Sequence, residues 1–442
     1  GSLLNLETGE LFVGGVGEVN RHFNVDMSYK ALAPRLGIAY QMTDNTVVRA
    51  GYGRSFDIGV FGSIFGHTVT QNLPVLSAQE ESTQNFRRVF TLAAGPPAPV
   101  FPPVPSNGRL PLPNGIFARA RPFEMRLPTL DAWNVTVQHQ LGRNTSVEVG
   151  YVGNKGTHVF AGDGPAFNIN QPVSDLSRPD VNERKPFFGR FGWTQSIDYY
   201  CNCADNRYNA MQAKFESRIP GVSILAHYTL QRATNDDGDY FFWDREVTRG
   251  PTSFDRTHVF LFSNVFDLPF GRGRKYMTDT SRVVDWFIGG WQVNSITTWM
   301  SGLAFTPGVS GANCSVNSGP CRPDIVGDPD VDNPSRQGWF AVGIGSGTPW
   351  AKAAPGLFGN VGRNTLRGPS FLNTDLSLFK NFRITEGQKL EFRAEVFNLF
   401  NKVNLGNPDS CVDCNPATAG KIFGLAAGAR MRNVQFGLRY TF

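Results

Sequence analysis

The sequence predicts an all-β chain, a transmembrane antiparallel β-barrel of about eleven strands with long extracellular loops. Three observations predict it. Segments of about ten residues alternate apolar and polar side chains with period two, and about ten residues is the length a tilted strand needs to cross a bilayer. The connections alternate between turns of a few residues and long loops rich in Pro, Gly, Asn and Asp. Charged residues are only 18% of the 442, while aromatics reach 12% and Gly numbers 48, which suits a turn-rich β protein rather than a disordered chain.

The strand candidates fall into hairpins. Residues 34–41 and 46–56 flank MTDN, 132–141 and 145–153 flank GRN, and 207–218 and 222–232 flank IPG. Residues 256–268 and 286–300 flank a longer connection that begins PFGRGRK. Leu372, Leu376 and Leu378 then alternate with Asn373, Asp375 and Ser377, and after the turn ITEGQ comes LEFRAEVF. There Leu390, Phe392, Ala394 and Val396 form one face, and Lys389, Glu391, Arg393 and Glu395 the other. The last run sets Val434, Phe436, Leu438, Tyr440 and Phe442 against Asn433, Gln435, Gly437, Arg439 and Thr441. A twelfth candidate at residues 11–19 is weakened by Gly14, Gly15 and Gly17.

The long loops cover about 58–130, 154–205, 233–254, 301–369 and 403–429. Residues 96–113 hold eight prolines, which predicts extended polyproline II and excludes a central strand. With Phe442 at the periplasm, the short turns are periplasmic and the long loops extracellular; only the turn at 269–285 is long for its side. An Arg or Lys facing lipid at the midplane costs ~2–4 kcal/mol. The charges Lys389, Glu391, Arg393, Glu395 and Arg439 are therefore expected to face the lumen. Tyr40, Phe56, Trp133, Trp286, Trp291, Trp299, Phe400, Tyr440 and Phe442 are expected as interfacial girdles at strand ends. The odd strand count, and a start at Gly1 without Met or signal features, predict a processed product or a piece of a longer chain.

Other function classes find little support. The net charge of +5 is spread along the chain, so no nucleic-acid partner is expected. No stretch approaches ~18 apolar residues, and the mean hydropathy is −0.24, as an alternating strand protein gives. GxSxG, HExxH and P-loop motifs are absent, and GYGRSFDIG sits on a strand with no helix after it, so no enzyme and no cofactor is expected. His139, His227 and His258 fall in strands, where a wall position outweighs a ligand role. The acidic loop NDDGDYFFWD reads as solvated rather than as a Ca²⁺ site. Cys201 and Cys203, Cys314 and Cys321, and Cys411 and Cys414 all lie in the long loops. Three local disulfides are the simplest reading in an oxidising compartment, with zinc at Cys411–Cys414 or free thiols as the alternatives. Trp243, Trp339 and Trp350 are expected to pack the loops on one another before stacking on a substrate ring.

Five phrases in order carry a family resemblance: LAPRLGIAYQMTDNTVVRAGYGRSFD, LPTLDAWNVTVQHQLGRNTSVEVGYVGNKGTH, FDRTHVFLFSNVFDLPFGRG, GGWQVNSITTWMSGLAFT and LEFRAEVFNLFNKVNLG. Residues 31–442 resemble the C-terminal half of a TonB-dependent outer-membrane receptor, closest to the Oar-like branch of Acidobacteria and relatives. The resemblance implies half of a 22-stranded barrel, with residues 1–30 as an extracellular segment before it. It implies a plug and a further half-barrel upstream, and often a carboxypeptidase-regulatory-like domain. It implies coupling through a TonB box to the motor complex of TonB, ExbB and ExbD, and import of a small-molecule nutrient such as a carbohydrate or siderophore. Phe436, Leu438, Tyr440 and Phe442 resemble the signal read by the barrel-assembly machinery. The competing readings are a structural or adhesive barrel whose loops bind surface partners without transport, and an outer-membrane hydrolase barrel, which lacks a convincing Ser/His/Asp set.

Overall fold

A computed structural model describes residues 1–27, 31–57, 67–79, 88–160, 166–236, 241–385 and 387–442. Its main body is one antiparallel sheet whose strand order is the chain order. The strands are β1 (Arg35–Thr43), β2 (Thr46–Phe56), β3 (Thr129–Gly142), β4 (Thr145–Phe160), β5 (Asn202–Ile219), β6 (Val222–Asn235), β7 (His258–Asp267), β8 (Trp291–Met300), β9 (Phe371–Arg383), β10 (Lys389–Phe397) and β11 (Asn433–Thr441). Gly250–Pro251 adds a short strand to the loop end of β6. Among the described residues, the outer edges of β1 and β11 have no strand partner.

The register carries the period-two pattern across the whole sheet. Tyr40 stands opposite Val48, Val48 opposite Val137, and Val137 opposite Val149. The row continues through Ala213, Tyr228, Phe260, Trp299 and Leu372. On the last strands Leu376, Val396 and Val434 face the same way. The opposite face runs through Gln138, Glu148, Lys214 and His227. A one-residue slip at any pairing would put every side chain of that strand on the wrong face, so the two-faced pattern pins the register.

Short turns close the hairpins at one end. In IPG the positive φ of Gly221 (79°) makes the tight reversal that joins β5 to β6. The exception joins β7 to β8. The strand expected from residue 286 begins only at Trp291, because a helix, α1 (Arg282–Ile288), occupies the end of the connection. The Ser281 hydroxyl accepts from the Val284 amide to start it, and Gly290 at φ 67° stops it. Trp286 therefore lies on α1 and not at a strand end. No helix among the described residues is long and apolar enough to span a membrane.

At the other end the loops build structure of their own. Six short strands form a second sheet: Ser2–Asn5, Glu10–Val13, Arg109–Pro111, Ala118–Ala120, Phe167–Asn168 and Ile197–Tyr199. Of the weak strand candidate at residues 11–19, only residues 11–13 are strand, in this sheet and not in the main one; Gly14, Gly15 and Gly17 fall in the turn after it. Pro111 sits on its edge strand, where a missing N–H costs nothing. Leu4, Leu11, Leu110, Ala118, Trp193 and Ile197 pack beneath it, and a second core joins Phe305, Phe340, Trp350, Val361 and Val412. The buried apolar cores thus lie in the loops, because the large sheet has its own two faces turned to different surroundings.

Candidate functional site

The polar face of the sheet and the loop cap above it form the candidate site. Near the short turns, charges are laid out by strand periodicity. On β5, Lys214 and Arg218 flank Glu216 at 2.8 and 2.7 Å. On β10, Lys389 and Arg393 flank Glu391 at 3.3 and 2.5 Å. Residues two apart on a strand share a face, so K-x-E-x-R writes a three-charge ladder in a single strand. The same spacing marks the ladder on β5, which sequence reasoning missed. Across strands, Arg439 stands opposite Glu391, and Gln435 Nε2 donates to Glu395 at 2.6 Å. All five charges expected on one face are thus on the face opposite Phe392 and Leu438. These part-exposed pairs contribute about 0–1 kcal/mol each, so they orient side chains more than they stabilise the sheet.

One ion pair breaks the apolar face. Arg54 grips Asp131 in two-pronged fashion at 2.8 and 3.0 Å, and the Tyr52 hydroxyl donates to the same carboxylate at 2.5 Å. The three residues sit toward the loop ends of β2 and β3, where the interface accepts polar tips. Among the histidines, His139 Nδ1 is 2.9 Å from the Thr46 hydroxyl and His258 Nδ1 is 2.7 Å from the Tyr228 hydroxyl.

The cap is fastened to the sheet by polar latches. Asp255 is buried, accepts from the Ala233 amide at 2.7 Å, and is held by Arg367 at 2.5 Å. This ties the end of the 301–369 loop to the β6–β7 connection. A second latch joins that loop to the 403–429 loop. The Asp413 carboxylate accepts from the Ser310 amide, the Ser310 hydroxyl and Asn313 Nδ2 at 2.6, 2.7 and 2.6 Å. Burial alone pushes the Asp413 carboxyl up, but these hydrogen bonds outweigh it and hold it below the ordinary carboxylate value. Because the value is depressed in the folded loop, the latch is fully stabilised above about pH 4 and loses that support as pH falls further. Protection of the amides at residues 308–313, measured against the intrinsic exchange rate at each pH, is therefore expected to fall on acidification below about pH 4. Asp413→Asn is expected to remove that acid-dependent step; an unchanged step in the variant would assign it elsewhere.

The three cysteine pairs are joined as Cys201–Cys203, Cys314–Cys321 and Cys411–Cys414; Cys203 lies at the start of β5 rather than in a loop as expected, because β5 runs further toward the loop end than its alternating stretch shows. With both sulfurs bonded and Asp413 engaged by Ser310 and Asn313, the group Cys411, Asp413 and Cys414 offers no thiolate to a metal. Opening Cys314–Cys321 with a double Ser substitution is expected to weaken the local loop by about 2–3 kcal/mol. The expected readout is faster proteolysis within residues 301–369 with the barrel's heat-modifiable mobility on gels unchanged; loss of that mobility would mean the bridge supports the whole sheet.

Trp350 and Trp339 pack the second core, while Trp243 is exposed. Trp350 is fully buried and donates to the Ala341 carbonyl at 2.6 Å, Trp339 donates to the Arg367 carbonyl at 2.8 Å, and Trp243 to the Gln171 carbonyl at 2.8 Å. In the acidic loop, Asp236 pairs with Arg245 at 2.8 Å. Asp237 and Asp239 lie outside the described residues, as do residues 58 and 59 of GYGRSFDIG.

The chain is similar to the outer membrane transporter YddB from Escherichia coli, at 10% identity over 90% of this chain and 38% of that one, with a TM-score of 0.42. It is similar to the siderophore receptor PirA from Acinetobacter baumannii at 12% identity, covering 93% and 41%, with a TM-score of 0.43. The ferric citrate transporter FecA aligns at 11% identity over 92% and 38%, with a TM-score of 0.40. The chain spans about two fifths of the length of these structures. No curated protein sequence matches it. A family profile described as an outer membrane beta barrel domain matches residues 1–435, nearly the whole two-faced sheet and its cap, and the chain belongs to that family of the Gram-negative outer membrane.

Proposed function

We propose that residues 31–442 form the C-terminal half of a TonB-dependent transporter barrel of the Oar-like branch, and that residues 1–30 belong to its extracellular cap. The barrel imports a small-molecule nutrient, a carbohydrate, a siderophore or a similar compound, with energy from the TonB complex. The observation that carries this reading is the sheet itself: eleven strands with one polar face, and edges at β1 and β11 that have no partner among the described residues. In lipid an unpaired edge leaves backbone groups unsatisfied, so such a sheet needs further strands to close. The upstream half-barrel supplies them, and the plug fills the lumen against Lys214, Glu216, Lys389, Glu391, Arg393 and Arg439. Phe436, Leu438, Tyr440 and Phe442 direct assembly, and Tyr440 and Phe442 stack with ring centres 5.8 Å apart.

The test is uptake in the native host. Deleting the gene and deleting tonB are each expected to abolish uptake of the same compound from a panel of labelled carbohydrates and ferric siderophores. If uptake of every compound survives while attachment to cells or polymers is lost, the barrel is adhesive and the transport reading fails.

A further inference from the structure

We propose that the connection between β7 and β8 is a lipid-binding platform that lies in the periplasmic headgroup layer and holds an anionic phospholipid. The connection is the one short-turn-end link long enough to fold, and its residues are those of an interface. Helix α1 exposes Val283, Val284, Trp286 and Phe287 at 71%, 40%, 51% and 69%. Exposing so much apolar surface to water is unfavourable. An amphipathic helix rich in Trp and Phe beside basic residues is the form that rests in a membrane interface.

The helix is continuous with the lipid-facing surface. Trp286 meets Phe382 with ring centres 5.0 Å apart, and Trp291 Nε1 donates to the Phe287 carbonyl at 2.7 Å. Phe382 stands opposite Leu390, which stands opposite Tyr440, so α1 sits on the apolar face at the short-turn end. Lys380 also belongs to that face, opposite Trp291 and Phe392. It is nearly fully buried; its ammonium donates to the Gly289 carbonyl and lies 5.3 Å from the Trp291 ring centre and 5.2 Å from that of Phe382. A lysine at this depth is held by the turn, so the platform is built onto the barrel wall rather than hung from it.

At the short-turn end beside α1 opens a groove of about 1020 Å³, lined by Arg272 and Arg274 of the connection, by Lys380 from the apolar face, and by Asp267, Asp285 and Lys389, the last already paired with Glu391. Both acids are engaged within the protein. Asp285 accepts from the Arg272 amide at 2.7 Å, and Asp267 accepts from Gln292 at 2.8 Å. Arg272 and Arg274 are exposed. Arg272 and Arg274 therefore present positive charge next to an apolar helix, which complements a phosphate headgroup with its acyl chains.

The test uses the full natural protein in phosphatidylethanolamine vesicles with and without phosphatidylglycerol. A nitroxide at Phe287→Cys is expected to be reached by oxygen and shielded from a water-soluble nickel chelate, while one at Asp279→Cys is open to the chelate. A chelate-accessible label at position 287, or one shielded from both reagents by protein, overturns the platform. Arg272→Gln and Arg274→Gln are each expected to lower phosphatidylglycerol retained on the purified barrel by about fivefold. Unchanged retention in both variants, with the barrel still folded, overturns the headgroup site.

Discussion

Leu438→Arg is expected to stop this protein from accumulating in the outer membrane. Leu438 lies on β11 with its side chain 69% exposed, opposite Phe392 and on the same face as Phe436 and Tyr440. In a soluble protein such exposure would be a liability; in this family it is the surface that meets hydrocarbon. A midplane arginine on that surface costs ~2–4 kcal/mol, which is more than tenfold in an insertion equilibrium, since about 1.4 kcal/mol is a factor of ten. The matched control is Gln435→Arg on the same strand. Its side chain points to the other face and stands opposite Glu395, so the new charge gains a partner. The readout is the amount of heat-modifiable barrel in isolated outer membranes. Loss in the first variant and near-normal yield in the second fixes which face is lipid. Equal yields would mean that the apolar face of β11 is covered by protein.

The control works because period two is legible along the whole strand. A barrel strand has a strong local signal, since lipid on one face and polar surroundings on the other leave no third choice. The shared face of Leu390, Phe392, Ala394 and Val396 is therefore written in their own spacing, and the turns at residues 44–45, 143–144 and 220–221 fall between the expected strands. The cap carries no such signal. Its strands are two to four residues long, too short to show alternation, and their partners are remote: Leu4 pairs with Ala120 and Ile197 with Ala118. Pairing at that range is a property of the folded loops and not of any window of sequence. Helix α1 is hidden for a different reason. Its run RVVDWFI carries β-branched and aromatic residues that suit a strand, and only Ser281 before it and Gly289–Gly290 after it mark a helix. The polar latches are invisible for the same reason as the cap sheet, because Asp255 and Arg367 are 112 residues apart.

That last pair has the largest expected effect within the cap. Arg367→Ala removes the guanidinium that donates to both the Asp255 carboxylate and the Asp255 carbonyl, at 2.5 and 2.8 Å. The carboxylate is left buried with the Ala233 amide as its remaining described donor. Breaking a buried pair by deleting one partner costs about 3–5 kcal/mol, and the low end applies here because the Arg367 side chain is 34% exposed. The energy is local, so the end of the 301–369 loop is expected to lift from the sheet while the strands stay intact. Hydrogen exchange at residues 301–309 and 364–369 is expected to speed up by about a hundredfold or more, since each 1.4 kcal/mol is a factor of ten. Asp255→Asn in the same chain removes the stranded charge, and the double variant is expected to be better protected than Arg367→Ala alone. Neighbouring groups in one network do not add, and the sign of the departure separates a charge left unpaired from packing merely lost. If the double variant is the more exposed of the two, Arg367 holds the loop by the packing of its stem, and the carboxylate is incidental to the latch.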